Sequence, residues 1–311
     1  EVLEVDPALP GRDQRTVLAP GLKLVQHLAA YKAIKEHFGQ EHHDDSEFVG
    51  VSAGAIAAKV CAMDAHEADD VLSLAMSDNL HKVVFGKWWN RPFTKSGKLS
   101  IAAIARIIIG KDSLGNIDAL ERQLYEMSEK HNNESSNKSY AVVVDANTGH
   151  RILFGTVNSI GVIKASCSIP VVMPPVPLLL DLVSGFDGGL RDHSPAVTWL
   201  DKAEKHKPTK RIIDIYTRPE KVNRFLTPYK PGIFRHFARA LDIGITEISY
   251  NDQHYVKSEC EKRGIECIQL FCPRSLEGTF DADPKRLKIA YSATYESIKE
   301  QLQNQYPPTN D

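Results

Sequence analysis

Blocks of apolar and polar residues alternate along the chain and predict helices and strands in turn. Over residues 23–38, apolar side chains recur at the spacing of one helix face, with charged residues between them. The polar stretch 37–47, which includes HHDD at 42–45, predicts a solvated turn without a metal site. The apolar run 48–52 predicts a short buried strand, and the small residues at 53–65 predict a second helix.

The same alternation continues through the rest of the chain. Residues 72–132 are predicted to be helical and irregular, and two apolar runs over 141–154 flank an Asn-Thr-Gly turn and predict a hairpin. Strands are predicted at 211–217 and 265–273, separated by a helix over 248–264 that ends in a glycine.

The last predicted helix begins at Asp283 and Pro284, where aspartate is a favoured N-cap and proline suits the first turn. Its apolar stripe consists of Leu287, Tyr291, Tyr295, Ile298 and Leu302. Alternating units of this kind pack as helices against a sheet whose strands are mainly parallel. The pattern therefore predicts an α/β fold class.

Composition and charge exclude several classes of protein. The 311 residues are 42% apolar and 25% charged, with a formal net charge of −2 at pH 7, so we expect no nucleic-acid partner. No apolar stretch is long enough to span a membrane, and residues 1–13 do not resemble a signal peptide. Five cysteines without paired spacing predict reduced thiols. We therefore expect a cytoplasmic protein.

A serine lies between two glycines where the first buried strand gives way to a helix. Gly50, Ser52 and Gly54 form the pattern G-x-S-x-G. In a nucleophile elbow the turn is so tight that side chains at the glycine positions would collide, and the serine hydroxyl points outward. The backbone N–H groups that follow, from Ala53, begin a helix and face any oxyanion formed beside the serine. We predict that Ser52 is an acyl-transfer nucleophile.

A serine nucleophile needs a base to take its proton. By chain order, His236 or His254 fits the histidine of a conventional Ser-His-Asp esterase, and this alternative stays open. An elbow as early as residue 52 argues against it, because an α/β-hydrolase normally forms several strands first.

An aspartate followed by two glycines is the other candidate. Gly188 and Gly189 permit a sharp turn and leave the carboxylate of Asp187 at its mouth. A plain Asp-Gly turn is the simpler interpretation. A carboxylate within hydrogen-bond reach of Ser52 would accept its proton directly, and a desolvated pocket would raise the carboxylate pKa toward neutrality.

Three segments in this order resemble the patatin-like phospholipase family. They are GVSAGAIAA at the serine, ASCSIPVVMPPV at 165–176, and FDGGLRDHSP at the aspartate. The resemblance covers about residues 16 to 300. It implies a three-layer α/β/α sandwich with a mainly parallel central sheet, forming one domain over residues 16–304 with terminal extensions at 1–15 and 305–311.

The resemblance also implies the chemistry. The family uses a Ser–Asp dyad without histidine, so Ser52 is expected to be the nucleophile and Asp187 the general base, with no metal and no cofactor. The expected substrate is a phospholipid or another acyl-ester lipid, cleaved through an acyl-enzyme.

The chain departs from the family in the glycine-rich loop that forms the oxyanion hole. Gly21 and the basic residue Lys23 match the family pattern, whereas Ala19, Pro20 and Leu24 replace its other glycines. We expect the oxyanion donors to be Gly21, Leu22 and Ala53. Pro20 has no N–H, and losing one donor costs on the order of 3 kcal/mol. Either activity is reduced or dependent on an activator, or the chain is a catalytically weak lipid-binding relative.

A phospholipase must also meet a lipid surface, so transient membrane contact is expected. KWWNRPF at 87–93 and IAAIARIIIG at 101–110 carry the aromatic, basic and apolar residues of interfacial segments. The simpler interpretation, which we favour from sequence, is that both pack within the helical region that covers the site.

Overall fold

The computed structural model describes most of the chain. The described residues are 14–18, 24–62, 87, 100–109, 111, 113–130, 139–156, 160–202, 209–217, 233–273 and 283–306. The strands are β1 Gln14–Leu18, β2 Ser46–Gly50, β3 Ser139–Asp145, β4 Arg151–Gly155, β5 Val176–Leu178, β6 Val183–Asp187, β7 Arg211–Tyr216 and β8 Glu266–Phe271. The helices are α1 Leu24–Asp44, α2 Ala53–Cys61, α3 Ile101–Ile108, α4 Asp118–Lys130, α5 Ile160–Ser166, α6 Ala196–Lys202, α7 Ile233–Arg263 and α8 Pro284–Gln305.

These strands form one mixed sheet with the order β5-β6-β3-β2-β1-β7-β8, and β4 pairs with β3. Strands β3, β2, β1, β7 and β8 are parallel neighbours, while β4, β5 and β6 join through antiparallel pairs. The α/β fold class with a mainly parallel sheet is confirmed. Because the carboxyl ends of parallel strands share one edge, the loop after β2 lies at the same edge as the end of β3.

Helices cover both faces of the sheet, as a three-layer sandwich requires. Along β7, Ile213 joins the core cluster that includes α1, α2, α5 and α8, whereas Ile212 joins the cluster with α6 and α7. Neighbouring strand residues point to opposite faces, so consecutive apolar residues such as Ile212 and Ile213 are expected where both faces are buried.

The polar stretch 37–47 does not form the solvated turn predicted from sequence. Helix α1 continues through it to Asp44, with a kink at Gly39, where φ is 84°. His42 and His43 are buried. The ring of His42 packs on Phe38, and a ring nitrogen of His43 lies 3.0 Å from the carbonyl oxygen of Cys61. Both imidazoles are therefore buried against aromatic rings and do not face solvent. Among the described residues, no group of side chains is arranged to hold a metal ion.

Three other predicted features are present in the structure: the hairpin, the glycine after α7 and the cap of α8. The hairpin forms between β3 and β4. Helix α7 ends at Arg263, and the predicted glycine, Gly264, follows it with φ 68°. Helix α7 begins at Ile233, well before the predicted residue 248. It includes Gly244, a residue type that is unfavourable within a helix. Asp283 caps α8, since its carboxylate accepts the backbone N–H groups of Lys285 and Arg286, each at 3.1 Å.

The apolar face of α3 is exposed, contrary to the packing that sequence favoured. Ile101 and Ile108 are 81% and 78% exposed, and Ile104, on the same helix face, is also exposed. The opposite face buries the small side chains of Ala102 and Ala103. Of the segment 87–93, the described part of the chain includes Lys87 alone, so the prediction for its tryptophans lies outside it.

No described helix is both long and apolar enough to cross a membrane. All five cysteines lie in described segments, and none forms a disulfide. The elements run from Gln14 to Gln305, slightly beyond the predicted limits 16–304.

Candidate active site

Ser52 lies in the tight turn between β2 and α2. Its backbone has φ 57° and ψ −128°, a combination that L-residues rarely adopt and that costs on the order of 1–3 kcal/mol. The turn is closed on both sides, since Gly54 N–H donates to Val51 O and Ala55 N–H donates to Ser52 O, each at 2.9 Å. A residue strained in this way and held by its surroundings is typical of a nucleophile elbow.

Close backbone approach explains the glycine before the serine. A Cβ on Gly50 would lie 2.0 Å from the carbonyl oxygen of Gly54, a distance at which no side chain fits. The same holds at the second motif, where a Cβ on Gly188 would lie 2.5 Å from Val142 O and 2.5 Å from Val51 Cγ2. The two glycine motifs are thus packed against neighbouring backbone, as predicted for Gly50.

Asp187 ends β6 and caps the short 3-10 turn Gly188–Leu190. Its Oδ1 accepts the N–H of Gly189 at 2.8 Å, and its own N–H donates to Ser168 O at 3.0 Å. Gly188 and Gly189 therefore form the sharp turn expected from sequence, and Asp187 is held through its carboxylate by Gly189 and through its backbone by Ser168.

The structure brings Ser52 and Asp187 together. The Ser52 side chain lies close enough to the Asp187 carboxyl to lower its pKa, although the two residues are far apart in the chain. Strand pairing explains the meeting: Gly50 aligns with Ala141 of β3, and Val143, two residues farther along the same strand, aligns with Asp187. Both side chains are nearly buried, with Ser52 6% and Asp187 5% exposed.

Burial changes the acidity of the Asp187 carboxyl. Desolvation raises its pKa to about 7, against the opposing effects of the hydrogen bonds from Ser52 and from Gly189 N–H. A carboxylate with a pKa near neutrality is a stronger base than an exposed aspartate and still exists partly ionised at pH 7. The pair can therefore move a proton between hydroxyl and carboxyl.

The predicted oxyanion donors are only partly within the described residues. Ala53 is the first residue of α2, so its N–H belongs to the first helical turn, where no intrahelical acceptor exists. Gly21, Leu22 and Lys23 lie outside the described residues, as do Ala19 and Pro20. The contribution of this loop to the oxyanion hole therefore stays a prediction.

The histidines of the alternative triad occupy helix α7. His254 lies on an exposed part of the helix and packs edge-on against Tyr250, with ring centroids 4.4 Å apart. The side chain of His236 lies outside the described side chains. His193, close after the DGG motif, is buried, and its backbone N–H donates to Asp252 at 2.6 Å.

A buried polar network lies behind the aspartate turn, and sequence reasoning gave it no role. Asp252 on α7 accepts the N–H of Ser194 at 2.9 Å, and the Ser194 hydroxyl donates to Asp214 on β7 at 2.9 Å. Tyr216 donates its hydroxyl to the same carboxylate of Asp214. Burial raises the pKa values of Asp214 and Asp252 to about 7. The network ties the segment after the aspartate turn to the sheet and to α7.

Two further residues adjoin the pair. The hydroxyl of Ser166 accepts the N–H of Ser52 at 2.9 Å, and the carbonyl of Ser168 accepts the N–H of Asp187. The only sequence signal at these positions was the resemblance of ASCSIP, which named no role for either serine.

The chain is similar to a known family and to a solved structure. Residues 46–198, which include both candidate residues, match the family model described as patatin-like phospholipase. Among solved structures, the crystal structure of VipD from Legionella pneumophila is similar, with a TM-score of 0.45 and 14% identity over 95% of this chain and 67% of that chain. No curated protein matches the sequence.

Proposed function

We propose that this chain, whose residues 46–198 match the patatin-like phospholipase family model, cleaves fatty acyl esters of phospholipids through Ser52 and Asp187. The observation that carries the proposal is the buried Asp187 carboxyl beside the Ser52 side chain, which lies on a strained elbow. Family membership supports lipid acyl hydrolysis in general, and the dyad and the phospholipid substrate are the finer steps proposed here.

The proposed reaction has two halves. In the first, Ser52 Oγ attacks the ester carbonyl carbon while Asp187 accepts the hydroxyl proton, and a tetrahedral oxyanion forms beside Ala53 N–H. The intermediate collapses, the lysolipid alkoxide leaves with the proton from Asp187, and the acyl group stays on Ser52. In the second half, Asp187 takes a proton from water, the hydroxide attacks the acyl-enzyme, and the proton returns to Ser52 as the fatty acid leaves.

Active-site substitution tests the enzyme directly. Phosphatidylcholine vesicles are the substrate, and a fluorophosphonate probe reports the nucleophile. Ser52→Ala is expected to abolish probe labelling and to lower hydrolysis by about a thousandfold or more. Asp187→Asn, which keeps the size but removes the base, is expected to lower kcat by roughly a hundred- to ten-thousandfold.

Matched controls are the substitutions Ser292→Ala and Asp45→Asn at exposed residues, which are expected to behave like the wild type. Full activity of Ser52→Ala would contradict the proposal. Substantial activity of Asp187→Asn, together with loss of activity in His254→Ala or His236→Ala, would favour the conventional triad instead.

One sequence feature favours a second candidate, a catalytically weak lipid-binding relative. Pro20 has no N–H to donate at a position where the family has a glycine. The same probe separates the two functions: vesicle binding without Ser52 labelling, with or without an added activator, indicates the binding protein.

The proposed partner is a lipid surface that the protein contacts transiently. The exposed isoleucines of α3 support this, as do Leu180 and Leu182, which are 98% and 78% exposed in the turn between β5 and β6. Strand β6 pairs antiparallel with β3, with Gly185 opposite Asp145, so this turn extends beyond the carboxyl edge of the sheet, where the site lies. Apolar side chains that protrude beside a lipid-cleaving site suit insertion into an interface.

Two double variants test the lipid contact: Ile101→Ser with Ile108→Ser, and Leu180→Ser with Leu182→Ser. Each is expected to weaken flotation with phosphatidylcholine vesicles and to lower vesicle hydrolysis several-fold. Hydrolysis of a soluble short-chain ester should not change, because the dyad is intact. Ile289→Ser on α8, where the isoleucine is 64% exposed, is the control. Unchanged flotation of both double variants would contradict the proposed contact.

A further inference from the structure

The carboxyl end of helix α5 contacts both members of the proposed dyad through their backbones. Ser166 Oγ accepts the N–H of Ser52 at 2.9 Å, and Ser168 O accepts the N–H of Asp187 at 3.0 Å. Ser52 and Asp187 come from distant parts of the sequence, and α5 lies between them in the chain. One short segment therefore fixes the backbones that carry both side chains.

The Ser166 hydroxyl both accepts and donates a hydrogen bond. It accepts from Ser52 N–H and donates to the carbonyl of Val142 on β3 at 2.7 Å, and Ser166 is fully buried. Only a hydroxyl can accept and donate at this point without adding bulk. If it were absent, the N–H of Ser52 and the carbonyl of Val142 would both be left buried without this partner.

The same carbonyl lies against the aspartate turn. Val142 O is the atom that a Cβ on Gly188 would approach to 2.5 Å, and Gly188 directly follows Asp187. The Ser166 hydroxyl, Val142 carbonyl and Gly188 backbone thus form one continuous contact from the serine elbow to the aspartate turn. Because the contact is close-packed, a shift at one end displaces the other.

Helix α5 is itself anchored, which makes it a firm support. Lys164 pairs with Asp118 and with Glu121 on α4, the latter at 2.8 Å. The hydroxyl of Ser168 donates to the Lys164 carbonyl at 2.9 Å. These bonds hold the last turn of α5 in place.

We propose that Ser166 is a positioning residue for the proposed dyad: its hydroxyl holds the Ser52 backbone so that the Ser52 side chain stays hydrogen bonded to Asp187. The inference rests on the proposed function. It also assigns the Ser52 N–H to Ser166, so that this N–H does not serve the oxyanion, and Ala53 N–H is the candidate donor among the described residues.

Ser166→Ala in the full chain tests the inference, with phosphatidylcholine vesicles as substrate. We expect kcat to fall about ten- to a hundredfold and KM to change less than twofold, because the reacting side chains remain but their alignment loosens. Fluorophosphonate labelling of Ser52 should slow by a similar factor. Ser166→Cys, which keeps the size and a weaker hydrogen-bonding group, should lie between Ser166→Ala and the wild type.

The pH profile separates positioning from a loss of stability. The Ser52 hydrogen bond lowers the pKa of Asp187, so loosening it should raise that pKa and move the acid limb of kcat/KM to higher pH. Ser139→Ala is the matched control, since it removes another buried serine hydroxyl, bonded to Thr156 at the far end of β3. It should lower Tm to a similar extent without moving the acid limb.

The outcomes distinguish the inference from the function. If Ser52→Ala is inactive while Ser166→Ala keeps the wild-type kcat and acid limb, the positioning role is wrong and the dyad stands. If Ser52→Ala keeps full activity, or if the wild type neither hydrolyses the vesicles nor labels at Ser52, the proposed function is wrong and the inference falls with it.

Discussion

At the scale of single residues, the candidate site depends on two side chains in unusual states. Ser52 has a backbone conformation that favours glycine, and Asp187 is a carboxyl group removed from water. Each state costs free energy in isolation. The hydrogen bond that Asp187 accepts from Gly189 N–H and the one that Ser52 N–H donates to Ser166 Oγ offset part of that cost.

The raised pKa of Asp187 predicts a pH dependence of the reaction. The base must be ionised to accept a proton, and its pKa in the folded protein is about 7. We expect kcat/KM to fall about tenfold per pH unit below pH 7 and to level off above it. Rates measured from pH 5 to 9 on a soluble ester check this. A limb near pH 4, typical of an exposed aspartate, would contradict a buried base.

At the scale of elements, two helical glycines show whether a position needs glycine for its backbone conformation or for close packing. Gly39, at the kink of α1, has φ 84°, whereas Gly244 lies within α7 without a positive φ. A Cβ at either position would meet no atom within 4 Å. Both glycines therefore have room for a side chain, and they differ only in backbone conformation.

Alanine at each of these glycines should have opposite effects on stability. Gly244→Ala is expected to stabilise the protein by about 0.5–1 kcal/mol, because alanine loses less conformational entropy in a helix. Gly39→Ala is expected to destabilise it by about 1 kcal/mol or more, because the kink needs a positive φ. Thermal unfolding of the two variants provides the measurement. A rise in Tm for Gly39→Ala would show that the kink does not need glycine.

At the scale of the whole molecule, buried carboxyl groups couple folding to pH. Asp187, Asp214 and Asp252 all have pKa values raised to about 7 by burial. In the unfolded chain an aspartate titrates near 4. The stability that depends on their protonation is complete below pH 4 and is lost as pH rises through 7.

The protein is therefore expected to have a Tm a few degrees higher at pH 6.5 than at pH 8. This window avoids His42, whose pKa is lowered to about 4 by burial and which is neutral throughout it. Asp252→Asn keeps an oxygen to accept the two backbone N–H groups and should weaken the dependence. Scanning calorimetry at pH 6.5 and pH 8 measures the two Tm values. A Tm that rises with pH would contradict the expectation.

Much of the fold was predictable because it follows from local chemistry. Period-two and period-3.6 patterns marked the hairpin, the strands at β7 and β8, and α8 with its Asp283 cap. The pattern was wrong over residues 37–47, since the burial of His42 and His43 depends on aromatic neighbours that the sequence does not place beside them. It was also wrong about α3, whose isoleucines are exposed. A single domain over 16–304 stays a prediction.

The sequence by itself determined which residues can do the chemistry: a serine in an elbow that requires glycine at Gly50, and an aspartate ahead of two glycines. Tertiary structure alone decided that they meet, because the pairing of β2 with β3 and of β3 with β6 brings distant segments to one edge. It also decided the basicity of Asp187, which depends on burial, and the role of Ser166, which depends on a hydrogen bond across 114 positions. Local motifs encode conformation, whereas desolvation and long-range contacts exist only once the chain has folded.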